Sequence, residues 1–207
     1  MKRNFLCKMA LLPSQSEFFQ ESCIQLVSTI LTRMAEANDH CPGETSRFHS
    51  VYKPDLSIDV YIDRIVRYTS ISVEVFACAF LYILRFSQRT GMIISSLNLH
   101  RLIITSVTIS MKYHEDRVYS NQYMAKVGGV SLAELNNLEA AFLERMDYSL
   151  GVSSKIFEAF CFETCQLDAA LAMDCTKEES TASVHCSTSE KKSLDCSFSQ
   201  PSLTRTV

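Results

Sequence analysis

The sequence is poor in glycine, with five in 207 residues, and these glycines form none of the loops that hold phosphate groups. The P-loop, the dinucleotide-binding GxGxxG, the GxSxG nucleophile turn and the HExxH zinc motif are all absent. Each of these motifs places backbone N–H groups, a nucleophile or a metal where a reaction needs it. We therefore expect no cofactor and no metal, and an enzyme is the least supported class of protein.

Concentrated positive charge is also missing. The net charge is −3, the isoelectric point is about 6.0, and Lys and Arg never occur in runs longer than two. A protein that binds nucleic acid needs a basic face to neutralise phosphates. We therefore expect no nucleic-acid partner, and the charge gives no support for attraction to a membrane surface.

Apolar runs of membrane-spanning length are not found either. The stretch VEVFACAFLYILRF, residues 73–86, has 14 residues, whereas a spanning helix needs about 20. Near the amino terminus, Lys8 interrupts the hydrophobic residues that a signal peptide would require. These features predict neither membrane association nor secretion.

The nine cysteines are odd in number and show no disulfide framework. This pattern predicts reduced thiols and a cytoplasmic or nuclear location, or both. Cys161 and Cys165 have the spacing of half a zinc site, but no second pair accompanies them. His114 lies beside two carboxylates, yet adjacent helical residues point in different directions, which favours a solvated helix end over a metal or acid–base site.

The first part of the chain reads as one helix followed by a connection. Ser14 and Glu17 have the spacing of a capping box, and apolar residues then recur at helical intervals, which predicts an amphipathic helix over 15–36. Residues 38–56 mix turn-forming residues without a period and are predicted to be a surface connection. We assign 1–56 to this helix and linker.

Three helices are predicted next, of which two are buried. Ser57 precedes a half-exposed helix, and Ser72 caps the apolar stretch described above, which we interpret as a central buried helix. Residues 97–116 are rich in β-branched residues, which favours a strand, but the run is too long for one and its small hydroxyl residues permit close helix packing. We interpret it as a second buried helix, capped by Ser95 or Ser96.

The two adjacent glycines, Gly128 and Gly129, are predicted to end a short helix, because glycine adopts the left-handed conformation of a helix terminus. Ser131 and Glu134 then form a capping box for the next helix. The predicted buried stripe of that helix consists of Leu132, Leu135, Leu138, Phe142, Leu143 and Met146. A further amphipathic helix is predicted within 153–167.

From about Asp174 the chain is dense in Ser and Thr and nearly free of periodic apolar residues. Such a composition buries too little apolar surface to offset the conformational entropy lost on ordering. Residues 166–207 are therefore predicted to be a disordered tail. Acidic residues near Thr176 and Ser187 motivate the hypothesis that the tail is phosphorylated or controls degradation.

Three segments and the order of the helices resemble the P/U-type cyclins, the single-box family typified by the yeast phosphate-pathway cyclin with its plant and protozoan relatives. The segments are HRLIITSVTISMKYHED (100–116), NQYMAKVGGVS (121–131) and ELNNLEAAFLERMDYSL (134–150). The resemblance implies an all-α fold, a five-helix cyclin box with an extra N-terminal helix. The single box and its trailing helix would occupy 57–165.

The resemblance also implies a function. The chain would be a non-catalytic regulatory subunit that binds a cyclin-dependent protein kinase as a heterodimer and activates it, in cell-cycle or nutrient-linked control. In cyclins a Lys of the third box helix and a Glu of the fifth face the kinase together, and these positions match Lys112 and Glu139. The implied apolar contacts to the mobile C-helix of the kinase are Tyr113, Leu143, Tyr148 and Leu150.

Two departures limit the resemblance to the mitotic cyclins. Leu84 stands where their second box helix carries an Asp, and the segment SIDVYIDRIV has no clear counterpart of their substrate-docking patch. The alternative function is a transcription adaptor of cyclin fold that has no kinase partner. Such an adaptor is expected to carry a basic face, and the net negative charge of the chain disfavours this alternative.

Overall fold

Helices form all the regular secondary structure in the part of the chain that the computed structural model describes, residues 17–41, 45–160 and 162. In chain order they are α1 (Glu17–Asn38), α2 (Ile58–Thr69), α3 (Val73–Thr90), α4 (Leu99–His114), α5 (Asn121–Gly128) and α6 (Leu132–Arg145), followed by α7 at 154–160. The all-α prediction is confirmed. The predicted capping box at Ser14, the Cys161–Cys165 pair and the tail at 166–207 lie outside the described residues.

Serine side chains begin three of these helices as predicted. The hydroxyl oxygens of Ser57, Ser72 and Ser131 accept hydrogen bonds from the backbone N–H groups three residues further on. Each bond satisfies one of the N–H groups that have no partner within the helix. These starts therefore depend on local chemistry alone.

The start of α4 differs from the prediction. Asn98, and neither Ser95 nor Ser96, occupies the N-cap position. The Oδ1 of Asn98 accepts from the backbone N–H of Ser95 at 3.0 Å, and its Nδ2 donates to the carbonyl of Ile93 at 2.8 Å. This buried side chain organises the turn before α4, so the helix begins later than the serines suggested.

Helices α3 and α4 pack along each other at the centre of the bundle. Four hydroxyl residues of α4, Thr105, Ser106, Thr108 and Ser110, are buried. Ser110 donates to the carbonyl of Val75 on α3 at 2.7 Å, while Thr105 and Thr108 each donate to the carbonyl four residues earlier at 2.7 Å. The prediction of a second buried helix with small polar residues at close contacts is confirmed.

The double glycine ends α5 and lets it approach α4. Gly129 caps the helix with φ of 68°, in the left-handed region. A Cβ on Gly128 would lie 2.5 Å from Cγ1 of Ile104, so the two helices approach more closely there than a side chain would allow. The hydroxyl of Tyr61 donates to the carbonyl of Gly128 at 3.0 Å, which ties α2 to the same point.

The buried stripe of α6 begins one turn later than predicted. Leu135, Leu138, Phe142 and Met146 are buried, and Leu143 is half-buried against the core. Leu132 is 43% exposed, so its inclusion in the stripe was wrong. Leu132 and Ala133, the first two residues of the helix, are exposed, and the first buried residue is Leu135.

Across the described ranges, no helix combines the length and the apolar character that crossing a bilayer would require.

Candidate functional site

Lys112 and Glu139 lie side by side at the surface of the bundle, although they belong to α4 and α6. The ammonium of Lys112 is 2.6 Å from Oε1 and 2.8 Å from Oε2 of Glu139. Leu138 and Phe142 take the buried face of α6, so Glu139 projects from the edge of that face. The side chains are 36% and 14% exposed, respectively, so another molecule can cover the pair.

Asn121 holds Glu139 from a third helix. Its Nδ2 donates to Oε2 of Glu139 and to Oδ1 of Asn136, both at 2.7 Å. Two acceptors facing one amide group fix its orientation, because the nitrogen must point toward them. The Oδ1 of Asn121 is buried and accepts no hydrogen bond.

Asn121 was not among the residues predicted for the site. The available signal was its place as the first residue of α5, within a segment that carries the cyclin resemblance. Nothing in the local sequence links it to Glu139, which lies 18 positions away.

The four apolar residues predicted to surround the charged pair differ in exposure. Tyr148 is 70% exposed, and Tyr113 and Leu143 are half-buried against the core. Leu150 is only 9% exposed and belongs to the core, so it offers a partner the least surface of the four. Their role as kinase contacts stays a prediction.

A buried hydroxyl joins the end of α4 to the turn that carries Tyr148. Tyr82 on α3 donates its hydrogen to the carbonyl of Leu150 at 2.7 Å, and its oxygen lies 3.0 Å from Nε2 of His114. A phenol has a single hydrogen, so Nε2 of His114 must be the donor in the second contact. Burial raises the pKa of Tyr82 well above its usual range, which keeps the hydroxyl protonated.

No three His, Cys, Asp or Glu residues lie close enough to hold a metal ion in the portion of the chain that is described. The ring of His114 is instead engaged with Tyr82, as given above. The arrangement at Lys112 and Glu139 can bind another molecule through hydrogen bonds and ion pairing.

Comparison with known proteins places these residues in a family. A family profile described as Cyclin matches residues 32–150, more than half of the chain. Cyclin-U2-1 of Arabidopsis thaliana is 38% identical over 157 residues, covering 72% of this chain and 69% of that protein. Cyclin-U4-3 of the same plant is 39% identical over 155 residues, covering 73% of this chain and 69% of that protein.

A rice protein matches over a longer span. Cyclin-P4-1 of Oryza sativa subsp. japonica is 34% identical over 187 residues, covering 84% of this chain and 85% of its own length. These matches span the helices that carry Lys112, Asn121 and Glu139. The chain therefore belongs to the cyclin family, as a cyclin of the P/U type.

Proposed function

We propose that this cyclin binds a cyclin-dependent protein kinase as a heterodimer and activates it by positioning the kinase's C-helix, in cell-cycle or nutrient-linked control. The observation that carries the proposal is the pairing of Lys112 with Glu139 at the surface. A cyclin acts as a regulatory protein, and this pair lies where the family resemblance expects the kinase contact.

The charged pair has hydrogen-bonding capacity left for a partner. An ammonium has three N–H donors, and two of the contacts that Lys112 makes go to the carboxylate oxygens of Glu139. The third N–H can donate to a carbonyl of the partner. Oε1 of Glu139, which accepts from Lys112 alone, retains a lone pair for a partner N–H, whereas Oε2 already accepts from both Lys112 and Asn121. The pair therefore suits a segment of partner backbone that presents both a free carbonyl and a free N–H group.

The surface around the pair also fits this use. Tyr113 follows Lys112 on α4 and Leu143 lies one helical turn after Glu139 on α6, and both are partly exposed, while Tyr148 is largely exposed. Interface centres combine such anchors with charged groups that lose water on binding. Asn121 fixes Glu139 before the partner arrives, which lowers the entropy lost on association.

The activation itself is positional. A protein kinase is active only when the lysine of its β3 strand pairs with a glutamate of its C-helix. A rigid surface that packs against the C-helix holds it inward and makes that pair. The cyclin then contributes shape and hydrogen bonds, with no catalytic group of its own.

The compartment proposed for this activity is the cytoplasm, the nucleus or both. The nine cysteines are odd in number and show no disulfide framework, and Cys23 and Cys78 are buried in the bundle. Such a pattern is usual where glutathione keeps thiols reduced. A fluorescent fusion of the full chain, imaged in its own cells, tests this location.

The test of the kinase proposal uses purified chain and a panel of recombinant cyclin-dependent kinases encoded by the same genome. We expect the wild type to bind one or more of them and to stimulate phosphorylation of a peptide substrate. Truncating one member of a desolvated charge pair costs about 2–5 kcal/mol, so Lys112→Ala and Glu139→Ala should each lose binding by tens to thousands of times. Helicity, measured by circular dichroism, should be unchanged in both variants.

Glu144→Ala is the matched control. Glu144 is an exposed glutamate on the same helix, and five residues at 3.6 per turn place it about 140° around the axis from Glu139. It should bind the kinase like the wild type. Full binding by both pair variants, or no binding of the wild type to any kinase in the panel, would overturn the proposal.

A further inference from the structure

The turn that follows α6 contains two consecutive residues in the left-handed region. Asp147 has φ of 48° and Tyr148 has φ of 53°. This conformation is uncommon for residues other than glycine, and for a bulky side chain it is an outlier that the surroundings must enforce. We name residues 146–151 the α6 turn. Hydrogen bonds to other parts of the protein must therefore hold it in this conformation.

Part of the restraint comes from α6 itself. The backbone N–H groups of Met146 and Tyr148 donate to the carbonyls of Phe142 and Leu143, both at 3.0 Å, and the N–H of Ser149 donates to the carbonyl of Met146 at 2.9 Å. These bonds set the reversal of the chain. They leave the carbonyls of the later turn residues to other partners.

The remaining restraint comes from α3. Nη1 of Arg89 donates to the carbonyl of Met146 at 2.7 Å, and Nη1 of Arg85 donates to the carbonyls of Ser149 at 2.9 Å and Gly151 at 3.2 Å. Tyr82 donates to the carbonyl of Leu150 at 2.7 Å. Tyr82, Arg85 and Arg89 are spaced by three and four residues, so they share one face of α3. This face binds four carbonyls of the α6 turn.

Packing of the Tyr148 ring within the fold does not explain the strained backbone at this residue. Its side chain is 70% exposed, so the fold does not use the ring as packing, and glycine would occupy the same backbone conformation without strain. Strained residues that persist at a surface are typical of binding sites. The contact between Tyr82 and His114 also ties the α6 turn to the end of α4, two residues beyond Lys112.

We propose that Tyr82, Arg85 and Arg89 are positioning residues that hold the α6 turn so that Tyr148 stands as a rigid aromatic anchor for the kinase partner. This inference rests on the proposed function and adds to it the residues that set the anchor. A fixed tyrosine fits a partner surface with an apolar pocket that has a polar group at its end, because the ring is apolar and the hydroxyl forms hydrogen bonds. The rigidity matters because an anchor fixed beforehand loses little entropy on binding.

The decisive experiment separates stability from binding. The probe is the recombinant cyclin-dependent kinase from the panel above that binds the wild-type chain most tightly. Tyr148→Gly relieves the left-handed strain and removes the ring, so its Tm should be unchanged or higher while kinase affinity falls by tenfold or more. A residue with a structural role alone would lower Tm and affinity together, or neither.

Asp147→Asn is the matched control, because asparagine tolerates the same backbone conformation and leaves Tyr148 in place. Its amide oxygen can also still accept from Nη1 of Arg89, which lies 3.4 Å from Oδ2 of Asp147. It should keep kinase affinity within twofold of the wild type. Kinase binding by Tyr148→Gly equal to that of the wild type would overturn the inference.

The positioning role is tested by a double-mutant cycle. Arg85→Met keeps the length of the side chain and removes its donors, so it should weaken kinase binding at least fivefold in the wild-type background and less than twofold in the Tyr148→Gly background. An equal loss in both backgrounds would show that Arg85 does not act through Tyr148. Should Arg85→Met fail to fold, the same cycle with Arg89→Met decides the matter.

Failure of this inference and failure of the proposed function give different results. If the wild type binds a kinase, Lys112→Ala loses it and Tyr148→Gly retains it fully, this inference alone is wrong. If the wild type binds no kinase in the panel, both are wrong.

Discussion

The ammonium of Lys112 contacts both carboxylate oxygens of Glu139, although the residues lie 27 positions apart and on different helices. The side chains of Lys112 and Glu139 are 36% and 14% exposed, and ion pairs at the surface contribute about 0–1 kcal/mol to stability. Under the proposed function, the pair contributes more to kinase binding than to folding. Binding and stability should consequently respond differently when the pair is altered.

Reversing the pair tests this separation. Lys112→Glu or Glu139→Lys alone places like charges together, and each should abolish kinase binding. The double variant restores an ion pair, so its Tm should return toward that of the wild type, but its donor and acceptor are exchanged and kinase binding should remain lost. Thermal unfolding and kinase affinity of the three variants provide the measurement, and recovery of binding in the double variant would contradict the prediction.

Asn121 should matter for binding through Glu139. Asn121→Ala removes a hydrogen bond to a charged group, worth about 1.5–3 kcal/mol, and should weaken kinase binding by roughly 10- to 150-fold if the whole loss falls on binding. Asn121→Asp should weaken kinase binding further, because a carboxylate cannot donate a hydrogen bond to Glu139 and repels its negative charge. Kinase affinity by titration is the measurement.

Asn137→Ala supplies the control for Asn121, since Asn137 is an exposed asparagine on α6 two residues from Glu139. It should bind like the wild type. An unchanged affinity of Asn121→Asp would show that Glu139 does not depend on this amide.

Gly128→Ala should destabilise the bundle. The new Cβ would meet Cγ1 of Ile104 at 2.5 Å, and Ile104 is a stiff, fully buried side chain. Overpacking of this kind costs about 1–3 kcal/mol, which chemical denaturation can measure. Gly151→Ala is the control, because its Cβ would have no neighbour within 4 Å, and an equal loss in both variants would exclude the steric explanation.

Stability should fall between neutral and mildly acidic pH. Burial lowers the pKa of His100 below its ordinary value of 6.5, although its bond to the carbonyl of Leu56 acts in the opposite direction. Because the folded-state pKa is the lower one, the contribution is present above pH 6.5 and is lost as the pH falls through the lowered value. Burial also lowers the pKa of His49, which adds to the same loss.

Unfolding free energies at pH 7.5 and 5.5 test this pH dependence. His100→Gln can still donate to the carbonyl of Leu56, and it should reduce the drop between the two values. The double variant with His49→Gln should reduce the drop further. A drop of the same size in His100→Gln would assign the effect to other groups.

Part of this protein follows from local sequence. Ser57, Ser72 and Ser131 begin their helices because donor and acceptor lie three residues apart, a distance that no tertiary contact needs to set. Gly129 ends α5 because its own backbone tolerates the left-handed region. The location of Lys112 and Glu139 was also predicted, but only through the resemblance to the cyclins.

What the tertiary structure decided involves groups that meet across helices. The bond from Asn121 to Glu139 depends on how α5 crosses α6, and the close approach of Gly128 to Ile104 depends on how α5 packs on α4. Arg89 and Arg85 reach carbonyls that lie 57 and 64 positions away. Helical periodicity gives the face on which a side chain lies, but the neighbouring helix determines which atom that side chain meets.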